Sequence, residues 1–128
     1  MVTQPPPRAA PLHVLVIEDY ADGRETLRLL LELSGFRVDS AASGTEGVEK
    51  ALALRPHAAL VDIGLPGLNG YEVARELRRR LGDRIHLAAC TAYGQPEDID
   101  AAEAAGFDKY LVKPVNTDEL LTWLRSLA

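Results

Sequence analysis

Cysteine is all but missing from this sequence. Cys90 stands alone, so no disulfide can staple the chain internally, which fits a reducing compartment. Long apolar runs are missing too. None approaches the ~20 residues that would cross a bilayer, so no membrane association is expected. Basic clusters are scarce: 14 Lys and Arg face 19 Asp and Glu, a formal charge of −5. That argues against direct nucleic-acid binding, which needs clustered Lys and Arg. The one basic run, Arg78-Arg79-Arg80, reads as a solvated helix face. His13, His57 and His86 are scattered and lack metal-ligand spacing. Residues 1–11 hold four prolines and no apolar stretch, which excludes a signal peptide and reads as a disordered Pro-rich leader.

What remains, residues 12–128, reads as one domain with enough chain to bury a core unaided. Short apolar, β-branched segments alternate with helical ones. Leu12–Ile17 predicts a strand buried on both faces, followed by a helix over Ala21–Ser34 that Gly35 ends. Arg37–Ala42 is a weaker strand. Ser43 with Glu46 three residues on predicts a capping box for a second helix, which Pro56 ends. Ala58–Ile63 is a third strand, then a turn-rich loop, then a helix over Tyr71–Leu81. Arg84–Thr91 is a fourth strand, with Pro96 near the first position of the next helix. Lys109–Val112 is a fifth strand, and Asn116 or Thr117 caps a last helix. Five strands alternating with five helices predict a doubly wound, parallel, open α/β sheet with helices on both faces.

Such sheets bind ligands at the carboxyl ends of their strands. There the chain places Glu18 and Asp19, then Asp62, Thr91 and Lys113. Each has a bland explanation alone: Glu18-Asp19 as a helix cap, Asp62 as a turn former, Thr91 as structural, Lys113 as a surface ammonium. Their joint placement on one edge is what points to a site. Carboxylates this close repel one another, and a divalent cation removes the conflict. Ligands that are all oxygen favour Mg2+, with Mn2+ as the alternative, over Zn2+.

The segments Val16-Ile17-Glu18-Asp19, Leu60–Gly70, Cys90-Thr91-Ala92 and Tyr110-Leu111-Val112-Lys113-Pro114 occur in an order and spacing that resemble the CheY-like receiver domain of response regulators. The resemblance covers about residues 12–127. It implies the flavodoxin-like strand order 2-1-3-4-5, with Asp62 as phosphoacceptor for a phosphohistidine on a histidine kinase or histidine phosphotransfer protein. It implies Mg2+ held by Glu18 (through a water), Asp19, Asp62 and the Gly64 carbonyl, and phosphoryl oxygens held by Thr91 and Lys113. The Lys113-Pro114 bond would be cis, and Tyr110 the switch aromatic that turns inward when Thr91 moves. Such a chain is a cytoplasmic signalling phosphoacceptor rather than an enzyme. Gly64 leaves one side of the phosphoryl group open, and Tyr93 would shield the other.

No room for an output module follows Leu127, so a free-standing, single-domain regulator acting through an unidentified downstream protein is expected, as a monomer or weak homodimer. A hybrid-kinase receiver acting in phosphorelay and a non-phosphorylated interaction module are the alternatives. A flavin protein would want a phosphate-cradling loop where Glu18 and Asp19 stand. A phosphohydrolase of the aspartyl-phosphate type would want a carboxylate where Gly64 stands. On the first helix, Leu27, Leu30 and Leu31 form a core stripe. Leu29 and Leu33 lie off it, either covered by neighbours or forming an apolar contact for the phosphodonor beside Tyr20 and Gly23. The fourth helix, fifth strand and fifth helix, with Tyr110 and Trp123, form a second candidate surface, although Trp123 also reads as plain packing.

Overall fold

The computed structural model describes residues 11–92 and 94–127. The Pro-rich leader, all but Pro11, and the expected shield Tyr93 therefore lie outside the described residues. Strands β1 (His13–Ile17), β2 (Arg37–Ala41), β3 (Ala58–Asp62), β4 (His86–Thr91) and β5 (Lys109–Val112) alternate with helices α1 (Ala21–Leu33), α2 (Gly44–Leu54), α3 (Gly70–Leu81), α4 (Pro96–Ala105) and α5 (Thr117–Ser126). The sheet is parallel throughout in the order β2-β1-β3-β4-β5, the flavodoxin-like order.

Alternation along the strands divides the core in two. Leu15, Ile17, Ala59, Val61, Leu87 and Ala89 face α2, α3 and α4, which add Ala51, Val73, Leu77 and Ala102. Val14, Val16, Leu60, Ala88, Cys90 and Leu111 face the other way, where α1 adds Leu31 and α5 adds Leu120 and Leu124. Cys90 is thus a small buried hydrophobe, and burial pushes its thiol up to about 12. Trp123 packs against this second half of the core.

Register fixes the strand ends. Ile17 pairs with both Ala41 and Val61, Asp62 with Cys90, and Thr91 with Val112. The residues that follow Ile17 and Val112 therefore emerge on the same edge as Asp62 and Thr91.

Helix ends mostly follow the predicted chemistry. Ser43 accepts the Glu46 amide, but Glu46 reaches back to the amide of Ala42 rather than to that of Ser43. Asn69 and Glu72 form a complete capping box at α3. Asn116, not Thr117, caps α5. Arg84 does not begin β4. Gly82–Arg84 forms a 3-10 turn, Gly82 adopting φ +59°, and the strand starts only at His86. Nor is Arg78-Arg79-Arg80 a uniformly solvated face. Arg79 and Arg80 are exposed, but Arg78 is only 19% exposed. Successive helix residues point about 100° apart, and Arg78 adjoins the buried Leu77 and Leu81 stripe.

Candidate functional site

Backbone hydrogen bonds tie the strand ends together before any side chain acts. Glu18 N–H donates to Ala41 O at 3.0 Å, Ile63 N–H to Cys90 O at 3.0 Å, and Lys113 N–H to Thr91 O at 2.7 Å. Arg24 of α1 donates to the Glu18 carbonyl at 2.9 Å. The loop after β3 folds back tightly: Gly70 N–H donates to Ile63 O, and a Cβ at Gly70 would lie 2.5 Å from the Asp62 carbonyl oxygen. Only glycine allows that approach, which sets the turn leaving Asp62. The Lys113-Pro114 peptide is cis.

On this frame the side chains converge. Oxygen atoms of Glu18, Asp19 and Asp62 lie within 4.8 Å of one another. Lys113 Nζ reaches Glu18 Oε1 at 3.0 Å and Asp62 Oδ1 at 3.2 Å, and Gly64 N–H donates to the same Asp62 oxygen at 3.2 Å. Glu18 is buried and Asp19 exposed, while the Asp62 side chain is 12% exposed. Thr91 is buried at the end of β4. Gly64 is open: a Cβ there would meet only Asp62 Oδ1, at 3.8 Å.

The electrostatics separate the two buried carboxyls. Burial, then the hydrogen bond shared with Asp62, push Glu18 up, and Lys113 only partly offsets this. Burial also pushes on Asp62, but the bond shared with Glu18, the Gly64 amide and the Lys113 ammonium outweigh it, and its net shift is downward. Burial works against the Lys113 charge, yet Glu18 and Asp62 hold its ammonium above the ordinary lysine value. The two net shifts thus run in opposite directions: burial favours the neutral form of Glu18, and its partners favour the charged form of Asp62. Glu18 Oε2 is buried with no hydrogen-bond partner. A buried, unpartnered carboxylate oxygen beside two more carboxylates is the donor set of a hard cation such as Mg2+. Tyr110, half-buried beside Tyr71 against the core, has its phenol raised by burial, with the Thr91 hydroxyl bond acting the other way.

Sequence reasoning placed all five polar residues on this edge. It missed the Gly64 amide as a partner of Asp62 and the role of Gly70 in setting the loop. The Gly64-x-x-Gly67-x-x-Gly70 spacing was the available signal. Leu29 and Leu33 are 48% and 87% exposed, so neighbours do not cover them. Leu31 is fully buried, Leu27 packs on the core, and Leu30 is half-buried.

The sequence profile of the response regulator receiver domain matches residues 14–125. The chain belongs to that family. It is 37% identical over 117 residues to the response regulator MprA of Mycolicibacterium vanbaalenii, covering 91% of this chain and 50% of that protein. The chain thus spans about half the length of the curated relatives it matches. Among solved structures, the Vibrio cholerae chemotaxis protein CheY4 superposes with a TM-score of 0.86 at 28% identity, covering 93% of this chain and all of that one. The Thermotoga maritima response regulator TrrA, solved with Mg2+ and beryllium fluoride, gives 0.81 at 32% identity over 91% of this chain and 98% of its own.

Proposed function

We propose that this receiver takes a phosphoryl group from a phosphohistidine onto Asp62, with Mg2+ held by Glu18, Asp19, Asp62 and the Gly64 carbonyl. The observation that carries the reading is the three-carboxylate cluster with Lys113 reaching two of its members and one Glu18 oxygen left without a partner. An Asp62 oxygen attacks phosphorus, the P–N bond breaks, and its electron pair returns to the imidazole of the donor, a histidine kinase or histidine phosphotransfer protein. Phosphoryl transfer needs in-line positioning and neutralised oxygens more than covalent chemistry from the protein. Mg2+ supplies part of that neutralisation. Lys113 and the Thr91 hydroxyl supply the rest.

The donor would approach between α1 and the β5–α5 connection. A groove of about 510 Å3 there is lined by Tyr20, Gly23, Leu27, Leu30, Lys113 and Val115. Once formed, the aspartyl phosphate draws Thr91 toward it and Tyr110 turns further inward, changing the face read by a downstream protein. Tyr93→Ala is expected to shorten the lifetime of the phosphoryl group; an unchanged decay rate would reject a role for Tyr93 as its shield. This setting is cytoplasmic, where such donors act. No helix among the described residues is long and apolar enough to cross a membrane.

The test is incubation with Mg2+ and acetyl phosphate. The wild type acquires an acid-labile phosphoryl group and Asp62→Asn does not. Labelling of Asp62→Asn, or none of the wild type, would overturn the reading.

A further inference from the structure

The entry into α1 is built differently from other helix starts in the chain. Ser43, Asn69 and Asn116 each accept a backbone amide through the side chain at the start of α2, α3 and α5. Tyr20, at the same position of α1, makes no such side-chain cap. Arg24 holds this turn instead. From one turn inside α1, its Nη1 donates back to the Glu18 carbonyl at 2.9 Å and to the Asp19 carbonyl at a longer 3.4 Å. A cation near the amino end of a helix works against the helix dipole. Carboxylates are at hand on the same helix, but Glu25 and Glu32 both pair with Arg28. The half-buried Arg24 is left to the backbone oxygens of the acidic pair.

These bonds complete the hold on Glu18. Its amide donates to Ala41 O at 3.0 Å, its carbonyl accepts from Arg24, and its Oε1 accepts from Lys113 at 3.0 Å. Oε2 is the oxygen left buried without a partner. Gly23 lets α1 close on this residue, since a Cβ there would lie 3.4 Å from Glu18 Oε1. Asp19 is exposed, so the direction of its carboxylate rests on the backbone that carries it. Arg24 ties both peptides that flank Asp19. A planar guanidinium has fixed donor directions, so two carbonyls on one of its nitrogens restrict those peptides.

We propose that Arg24 is a positioning residue for the divalent cation: by tying the Glu18 and Asp19 carbonyls to α1, it holds their carboxylates in the cation-binding arrangement. This rests on the cation site proposed above. Groups that orient metal ligands without touching the metal commonly set much of its affinity. Charge alone points the other way. A guanidinium this near three carboxylates repels a second cation, so on Coulomb grounds its removal would tighten Mg2+ binding. The sign of the effect separates the two roles.

The test is a Mg2+ titration of the full chain at fixed pH and ionic strength, followed at the Ile63 and Gly64 amides by NMR. Arg24→Ala should raise the half-saturating Mg2+ concentration roughly tenfold, the scale of losing a partner that orients a metal ligand. Arg24→Gln is neutral and keeps one donor, and Arg24→Lys is charged and lacks the fork. Both should fall between Arg24→Ala and the wild type. Where Arg24→Ala does not fold, these two decide, and both must bind Mg2+ more weakly than the wild type. Tighter binding by the neutral variants would make Arg24 a mere repelling charge and overturn the proposal. A lower urea midpoint with unchanged half-saturation would make its role only structural and overturn it equally. If the wild type shows no Mg2+-dependent shift at Ile63 or Gly64, the cation site fails first and the role of Arg24 falls with it.

Discussion

The two edges of the sheet handle polar groups in opposite ways. At the amino edge every described group of the network is answered. His13 Nε2 lies 2.5 Å from Asp39 Oδ2, the His13 amide donates to His57 Nδ1 at 2.9 Å, and the His57 amide donates to His13 O at 2.9 Å. Arg78 and Asp108 close the same edge farther along. At the carboxyl edge Glu18 and Asp62 crowd together around one lysine, and Glu18 Oε2 goes unanswered. One edge spends its polar groups on stability. The other keeps an electrostatic conflict that a cation can resolve, a cost typical of functional sites.

The comparison breaks most visibly at Arg78. Arg78→Ala removes four hydrogen bonds and leaves the Ile85 carbonyl, on a buried residue, and the Gly106 carbonyl, on a half-buried one, without this partner. The expected loss is about 2 kcal/mol in urea unfolding, the scale of breaking a partly buried charged network. Phosphorylation per folded molecule should not change. A loss under ~1 kcal/mol would mean that this edge carries less of the stability than its hydrogen bonds suggest.

Glu18 predicts the reverse sign. A carboxyl whose folded value is raised contributes stability that is fully present below its unfolded value and is lost as pH rises through the folded one. Burial thus makes the charged form of Glu18 a cost to the metal-free protein, which Lys113 only partly offsets. Glu18→Gln should stabilise the metal-free protein by about 1–2 kcal/mol at pH 7, with the gain shrinking as pH falls and Glu18 protonates. The same change should weaken Mg2+ binding, read by the concentration that half-saturates protection against heat. Equal stability of the two proteins across that pH range would remove the conflict on which the comparison depends.

Much of this contrast could be read along the chain, and the reason lies in sequence distance. Val14–Ile17, Ala58–Val61 and Leu87–Cys90 are apolar runs ending in polar residues, so the carboxyl edge is visible as soon as the strands are aligned. Each helix start carries its own local signal, such as Ser43 with Glu46. The amino edge has no such marker. Arg78 meets Gly106 and Asp108 across 28 and 30 positions, and His13 meets Asp39 across 26, through a register that only the folded sheet supplies. A basic triplet looks solvated until helical geometry separates its members. Strand four was overextended for a similar reason: Arg84 precedes apolar residues, but the left-handed Gly82 begins a 3-10 turn instead.

The smallest effect on stability is expected away from both edges, on α1. Leu29 and Leu33 make little use of burial, at 48% and 87% exposed, so replacing each with Glu should change stability by less than ~0.5 kcal/mol. An exposed apolar pair four residues apart on a helix beside the donor groove instead suits contact with another helix. The double variant should accept phosphoryl groups from acetyl phosphate at the wild-type rate. Transfer from the autophosphorylated kinase that serves the wild type should slow by about tenfold, one lost apolar contact of ordinary worth. Equal slowing with both donors would trace the effect to the carboxyl edge itself. No slowing with either would leave these leucines as ordinary surface residues, and the donor would then be recognised by the groove walls at Tyr20, Leu27 and Val115 alone.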